Sequence, residues 1–476
     1  MTTGRWDAIV IGAGVHGLVA AHYLARTGRR VLVFEQRGAP DSSRDTGWVP
    51  PQLIRELGLQ RDGLRIDRTD PWITAALPND GRLELSADIA RSVEAIRRLS
   101  PRDAAKWPEF CARMARLAGV LEALYLQPAP DVETRELGEL WRLARLGLQV
   151  RRLGKQAVID LARILPMSIA ELLDDWFETD ALKGVLGALA VWHLKQGPRS
   201  GGTAFNLLHH HVGSPPGVFR PPRSNLTEVL SALPGVEVRR GEKVGRILVK
   251  AGTAAGVALA PSGAELAARV VVSAADPRAT FAAVDPGELE PEFVRAVGNI
   301  KCRGVTARVT LTAKHPPDFS TWCVAPSLAY LERAYDDAKY GRVSAQPYVE
   351  AHAADRRVEV HVQYVPYEAS ADGIGDAAVR AVTTRFPELE RQIAGREVLT
   401  PRDLQARYGT TEGHLYHGEL TLDQILFMRP LPGWSRYRTP IRGLYLCGAG
   451  THPGGGIAGA AGRNAARVIL KDTKRS

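Results

Sequence analysis

Residues 7–37 read DAIVIGAGVHGLVAAHYLARTGRRVLVFEQR, and this stretch decides the fold. Asp7 to Ile11 is a short apolar strand. Gly12, Gly14 and Gly17 form a G-x-G-x-x-G turn, and Leu18 to Arg26 is a run of small and apolar residues with helical character. Val31 to Phe34 is the returning strand, closed by Glu35 and followed by Gln36 and Arg37. Each part has a physical task. Gly12 permits the tight turn, Gly14 lets backbone approach a pyrophosphate, and Gly17 lets the helix pack close to the sheet. The helix N-terminus presents free N–H groups and a positive dipole end to the phosphates. Glu35 is placed to accept hydrogen bonds from an adenosine ribose. A bare G-x-G-x-x-G is a weak signal. Here it follows a strand, opens a helix and has an acid about 20 residues on, which is the context of a dinucleotide-binding βαβ unit.

The other end supplies a second half-site. Residues 441–469 read IRGLYLCGAGTHPGGGIAGAAGRNAARVI. Leu444 to Cys447 is predicted as a strand, Gly448-Ala449-Gly450 as a turn, and Gly454 to Gly456 as the opening of a helix. Such a helix N-terminus suits the pyrimidine edge of a flavin, where negative charge collects on reduction. Gly448, Ala449, Gly455, Gly456 and Ile457 are the candidate contacts, because glycines allow backbone to lie against a flat ring.

With both ends in view, the chain resembles the phytoene desaturase and carotenoid isomerase type of FAD-dependent oxidoreductase, nearest the branch called pyridine nucleotide-disulfide oxidoreductase domain-containing protein two. The resemblance is carried by the N-terminal unit, TAFNLLHHH at 203–211, VVVSAADPRATF at 270–281, VQYVPYE at 362–368 and, most strongly, residues 418–466. It implies an α/β fold: a Rossmann-like FAD-binding domain of the GR2-type flavoprotein kind, with a mixed α+β substrate domain. The FAD domain is expected to be discontinuous, from residues 1–70, 222–290 and 405–476. Residues 71–221, mostly helical, and 291–404 are expected to form the substrate domain. The resemblance also implies that the backbone at Val244 contacts adenine, a position equally suited to a core strand residue. It implies FAD as cofactor and an apolar or small organic substrate that loses a hydride from C–H, by desaturation or isomerisation. The alternative is a catalytically silent member that keeps the fold as a binding or assembly protein.

Two segments depart from that family's pattern. After Glu35 the chain runs QRGAPDSSRDTGW, without the second glycine pair that wraps the pyrophosphate, and about 20 residues are expected to be missing. Arg37 and Arg44 are the candidate replacements, as charge clamps. GVFRPPRSNLTE at 217–228 stands where a glycine-rich stretch is usual.

Composition bounds the partners. The chain of 476 residues has 62 basic and 52 acidic side chains, a dispersed excess of +10 with no nucleic-acid motif. The four cysteines form no C-x-x-C pair, which argues against a redox disulfide and suits a reducing cytoplasm. One dinucleotide fingerprint leaves no second site for NADPH, so the expected acceptor is oxygen or a quinone, or there is no net acceptor, as in an isomerase. The start MTTGRWD lacks a signal-peptide pattern. Over 140–157, Leu143, Leu146, Val150, Leu153 and Ala157 share a helical face flanked by Arg142, Arg145, Gln149, Arg152 and Gln156, with Arg151 and Lys155 adding charge. That pattern fits either a core-facing helix or peripheral membrane contact. The oligomeric state is not legible. His452, two residues before the glycines, and His210, or its neighbour His211, are candidate catalytic residues, each weighed against a hydrogen-bonded structural histidine. His209, His210 and His211 diverge by about 100° per residue on a helix, so no metal site is expected.

Overall fold

The computed structural model describes residues 5–40, 44–77, 81–130, 137–152 and 154–475. Its first sheet is built on the N-terminal unit. Strand Trp6–Ile11 lies parallel between Val31–Glu35 and the second half of the long strand Glu265–Ser273. Glu237–Arg240 adds in parallel outside Val31–Glu35, and Leu444–Leu446 adds in parallel to Val271–Ser273. The first half of Glu265–Ser273 turns antiparallel, pairing with Thr253–Ala260, which pairs with Lys243–Lys250. These strands are continuous apolar runs such as IVI, VLVF and VVV because the parallel part is covered on both faces. Helices Val15–Ala25 and Ala460–Arg475 pack on one face, with Leu18, Val19, Ala461 and Ala465 in the core. Ile9, Leu32, Val271 and Phe281 fill the other.

The second large sheet runs, in spatial order, Ile393–Leu399, Thr306–Ala313, Arg357–Gln363, Val349–Ala354, Thr321–Val324, Ile73–Ala76 and Arg82–Leu85. The last two strands precede the helices of residues 71–221, a region that is mostly helical as expected. The helices of that region begin at Ile89 and continue to His211. One face of this sheet is apolar: Val309, Val349, Val358, Val360 and Val362 pack with Ile374, Ala378 and Val382 of the helix Ala371–Thr383. A small third sheet pairs Arg223–Ser224 with both Asp45–Thr46 and Ile66–Asp67. It brings the end of the shortened loop against the 217–228 segment. Residues 41–43 of that loop, and Met1–Gly4, lie outside the described residues.

Two predicted helices have different bounds. The helix expected over 140–157 is two, Leu137–Arg152 and Lys155–Ile164, broken at Gly154 with φ 88°. Leu153 and the side chains of Arg142, Leu146, Gln149, Val150 and Arg152 lie outside the described residues. The last helix begins at Ala460, not at Gly454. Residues 454–459 form turns, because Gly454, Gly456 and Gly459 all take positive φ. Among the described residues, no helix is long and apolar enough to cross a membrane.

Candidate functional site

One cavity of about 790 Å³ runs from the N-terminal glycine turn to the second sheet. At its first end Gly12 (φ 97°) makes a bend that favours glycine, and the helix Val15–Ala25 starts directly after Gly14. A Cβ on Gly17 would sit 2.0 Å from Gly12 O, so only glycine lets the helix lie this close. A Cβ on Gly14 would meet nothing within 4 Å. Gly14 also offers no side chain to cap the helix, leaving the first-turn N–H groups for a ligand. Glu35 is buried; Ala13 N donates to it at 3.0 Å and Arg37 donates through N and Nε, both at 3.0 Å. Burial opposes its ionisation, but the Arg37 hydrogen bond and charge prevail and hold the carboxyl below its ordinary range. Gln36, Arg37, Arg44, Lys243 and Val244 line the same end. An open helix N-terminus, a buried ionised acid at the end of the neighbouring strand and a glycine with free space in front fit the adenosine diphosphate half of FAD.

The C-terminal candidates are placed differently. Gly448, Ala449, Gly455, Gly456 and Ile457 do not line the cavity. Tyr416 stands between it and Gly455, so close that a Cβ on Gly455 would lie 2.1 Å from the Tyr416 ring. Arg429, 1 % exposed, holds this wall. It donates to the carbonyls of Tyr416 (2.7 Å), Gly418 (3.0 Å), Glu419 (3.1 Å), Gln424 (3.1 Å) and Ala449 (2.8 Å). Burial lowers its pKa to about 10, so it stays charged. Sequence reading did not single out Tyr416 or Arg429; a buried arginine feeding five carbonyls leaves no local pattern.

Neither catalytic histidine candidate reaches the cavity. His452 is buried with Nε2 3.2 Å from Leu124 O, and burial lowers its pKa to about 4. His210 bonds Leu189 O through Nδ1 at 2.9 Å and lies behind Tyr416, with Nε2 3.4 Å from its hydroxyl. Both are hydrogen-bonded structural histidines in this fold. The run diverges as its spacing requires: His209 spans Tyr125 Oη and Gly455 O, while His211 bonds Val218 O.

The second sheet turns its polar face to the cavity, not the apolar one. Arg308 lies opposite His361, which lies opposite Glu350; Thr310 lies opposite Glu359, which lies opposite His352. Arg220 donates to Glu350 at 2.9 Å and Arg223 pairs with Glu359, both arginines coming from the 217–228 segment. Trp192, His193 and Tyr416 complete this end. His193 and Tyr416 rings are 4.5 Å apart, and His193 and His361 rings 5.2 Å. Burial, with the nearby arginines, lowers His352 to about 3; burial lowers His361 to about 4, so both imidazoles are neutral at pH 7. The signal was present in sequence: TARVTLT, VEAHAA and RVEVHVQ alternate apolar residues with Thr, Arg, Glu, His and Gln. Alternation alone gives a half-exposed strand; only the tertiary placement shows that the polar half lines a cavity.

Comparison with known proteins decides the family. The family described as FAD dependent oxidoreductase matches residues 7–199. The rat pyridine nucleotide-disulfide oxidoreductase domain-containing protein 2 is 30% identical, covering 99% of this chain and 94% of the relative. The chain belongs to this family of FAD-dependent oxidoreductases. FAD is therefore its cofactor, and the chain is an oxidoreductase. The hydroxyneurosporene desaturase of Rhodobacter capsulatus is 26% identical over 98% of this chain and 98% of its own. Among solved structures, putrescine oxidase superposes with a TM-score of 0.59 over 99% of this chain and all of that one at 14% identity, a likeness of fold. The alignment to the rat relative spans 548 positions against this chain's 476 residues, so at least 72 positions have no residue of this chain, more than the one loop read from sequence.

Proposed function

We propose that the chain takes a hydride from a C–H bond of an apolar or small organic substrate, either desaturating it with oxygen or a quinone as electron acceptor or isomerising it with no net acceptor. The observation that carries this reading is the continuous cavity joining the nucleotide end, at Gly12, Gly14 and Glu35, to the polar sheet face. Bound FAD supplies the redox step by accepting a hydride. The residues of the chain supply the rest. The Gly14 turn and the helix N-terminus hold the pyrophosphate, Glu35 holds the ribose, and Tyr416, Trp192 and His193 shape the space where substrate meets the cofactor and exclude water from it. The test is anaerobic: a substrate bleaches the flavin band of the purified protein, and oxygen or a quinone restores it. The position of Tyr416 against Gly455 favours the second reading, a silent member, and a flavin that no candidate substrate bleaches would select it.

We also propose peripheral membrane contact through the helix Leu137–Arg152. Trp141 is 75 % exposed and Leu148 53 %, beside the exposed Arg145 and Arg151. Co-sedimentation with vesicles of anionic lipid, lost in Trp141→Ala, tests it.

A further inference from the structure

Among the described residues, four histidines line the cavity: His193, His352, His361 and His417. Two are held by hydrogen bonds at the ring, His352 Nδ1 at 3.1 Å from Thr321 Oγ1 and His361 Nε2 at 3.1 Å from Gln363 Oε1. His417 stands by His16 and Asp276, at the nucleotide end. His193 differs. Neither of its ring nitrogens bonds a described residue, and Nδ1 is enclosed by protein while Nε2 retains accessible surface. The residue is only 6 % exposed, and that surface lies on the cavity.

The fold fixes this ring through its backbone and its faces instead of its nitrogens. His193 takes φ 60°, in the left-handed region that a residue with a side chain seldom occupies, and such strain persists only where the surroundings over-determine it. Its N–H donates to Gln363 Oε1 at 3.2 Å, and its carbonyl accepts from His414 Nε2 at 2.8 Å. Gln363 Nε2 in turn donates to the carbonyls of Val191 and Leu194, both at 3.0 Å. The imidazole stacks on Trp192 with ring centres 5.0 Å apart, and the Tyr416 and His361 rings close in at 4.5 Å and 5.2 Å. Burial, with His361, His414, His210 and Arg308 nearby, holds it well below the ordinary histidine range. It is therefore neutral at pH 7, the form that accepts a proton.

We propose that His193 is the catalytic base, its Nε2 taking the proton that leaves the substrate alongside the hydride. This rests on the oxidoreductase reading above. Removing two hydrogens from adjacent substrate atoms breaks two bonds. One hydrogen leaves carbon with its electron pair and reduces the flavin by two electrons. The other leaves as a proton to Nε2, and the electron pair it leaves behind becomes the new double bond. The charge of the imidazolium is offset by the negative charge that hydride transfer brings into the cavity, and its proton passes to solvent as product departs.

The experiment follows anaerobic single-turnover bleaching of the FAD-loaded protein by limonene, cyclohex-2-enol and cyclohexylamine. Wild type is compared with His193→Gln, which keeps a hydrogen-bonding group without basicity, and with His193→Gly, which suits the positive φ and empties the place of the ring. The bleaching rate at saturation should fall about 100-fold or more in both, the order of general-base catalysis, with little change in the half-saturating concentration for His193→Gln. Added imidazole should restore the rate in His193→Gly, and pyrrole, the same ring size without a basic nitrogen, should not. Diethyl pyrocarbonate, which acylates neutral imidazole nitrogens, reads the geometry of the wild-type protein without turnover: His193 should be labelled faster than His210 and His414. A wild-type rate in His193→Gln, rescue by pyrrole as well as imidazole, loss of flavin from both variants, or labelling of His193 no faster than of His210 would each overturn the inference and leave the oxidoreductase reading standing. A flavin that none of the three compounds bleaches removes that reading, and this inference with it.

Discussion

The chain has two glycine-rich turns at its two ends, alike in composition and opposite in situation. Gly12 and Gly14 open onto a cavity, and Gly14 has free space where a side chain would go, while Gly17 packs against the backbone of Gly12. Gly454, Gly455 and Gly456 face protein: a Cβ on Gly455 would strike Tyr416, and one on Gly454 would lie 2.8 Å from Leu420. Glycine at the first turn makes room for a ligand; glycine at the second makes room for the chain's own side chains. A glycine motif is therefore a statement about close approach, and what approaches has to be found in the structure.

The comparison breaks most visibly at Arg429. Arg429→Met leaves four buried carbonyls, those of Tyr416, Gly418, Gln424 and Ala449, without their side-chain donor, while Glu419 O keeps Gln424 Nε2. At about 1–3 kcal/mol for each group that finds no water, stability should fall by at least about 3 kcal/mol. Urea unfolding checks this, and a loss below about 1 kcal/mol would mean the wall around Tyr416 does not depend on Arg429. Gly455→Ala and Tyr416→Ala sharpen it further. Overpacking at Gly455 should cost about 1–3 kcal/mol in the native background and much less beside Tyr416→Ala. Additive effects would show that the two residues are not in contact.

The third expectation concerns pH. His210 and His452 beside this segment are held near 4 by burial, and His209 near 3, against 6.5 in the unfolded chain. A histidine whose folded pKa is depressed binds more protons when unfolded below pH 6.5. Its contribution is therefore complete above 6.5 and lost as pH falls toward 4. Protection against amide exchange at 448–457 should fall between pH 6.5 and 5 more than at 12–17, because three depressed histidines lie at the second turn and one, His16, held near 3 by burial, lies at the first. Equal loss of protection at both turns would contradict that difference. The smallest effect is an expected absence of one. NADH and NADPH should not bleach the flavin at a useful rate, since the one dinucleotide turn is taken by FAD; rapid anaerobic bleaching would show a second nucleotide site.

Spacing made the first turn legible, because strand, glycines, helix and acid each have a fixed offset. The β-rich stretch before Ser273 was legible for the same reason: short alternating runs end at Gly241, Gly252 and Gly263. The helix break at Gly154 was written in the glycine itself and lost in the regular apolar spacing around it. The strands Ile73–Ala76 and Arg82–Leu85 are four residues each, too short for periodicity to separate from a helix turn. At the site, Glu35 and Gly14 were readable locally. Tyr416, Arg429 and the polar sheet face were not, because their roles depend on partners brought close only by the fold or on which face a sheet turns inward.

The most direct measurement is FAD binding by Gly14→Val, with thermal stability of the FAD-free protein taken in parallel. The space at Gly14 lets the apoprotein accept the side chain, whereas the pyrophosphate needs that space. Losing one or two hydrogen bonds to a charged group, at about 1.5–3 kcal/mol each, weakens binding by about one to four powers of ten. The account predicts an unchanged apoprotein melting temperature and FAD affinity reduced by at least about tenfold. Full flavin content in Gly14→Val would contradict the placement of the pyrophosphate at the N-terminal turn.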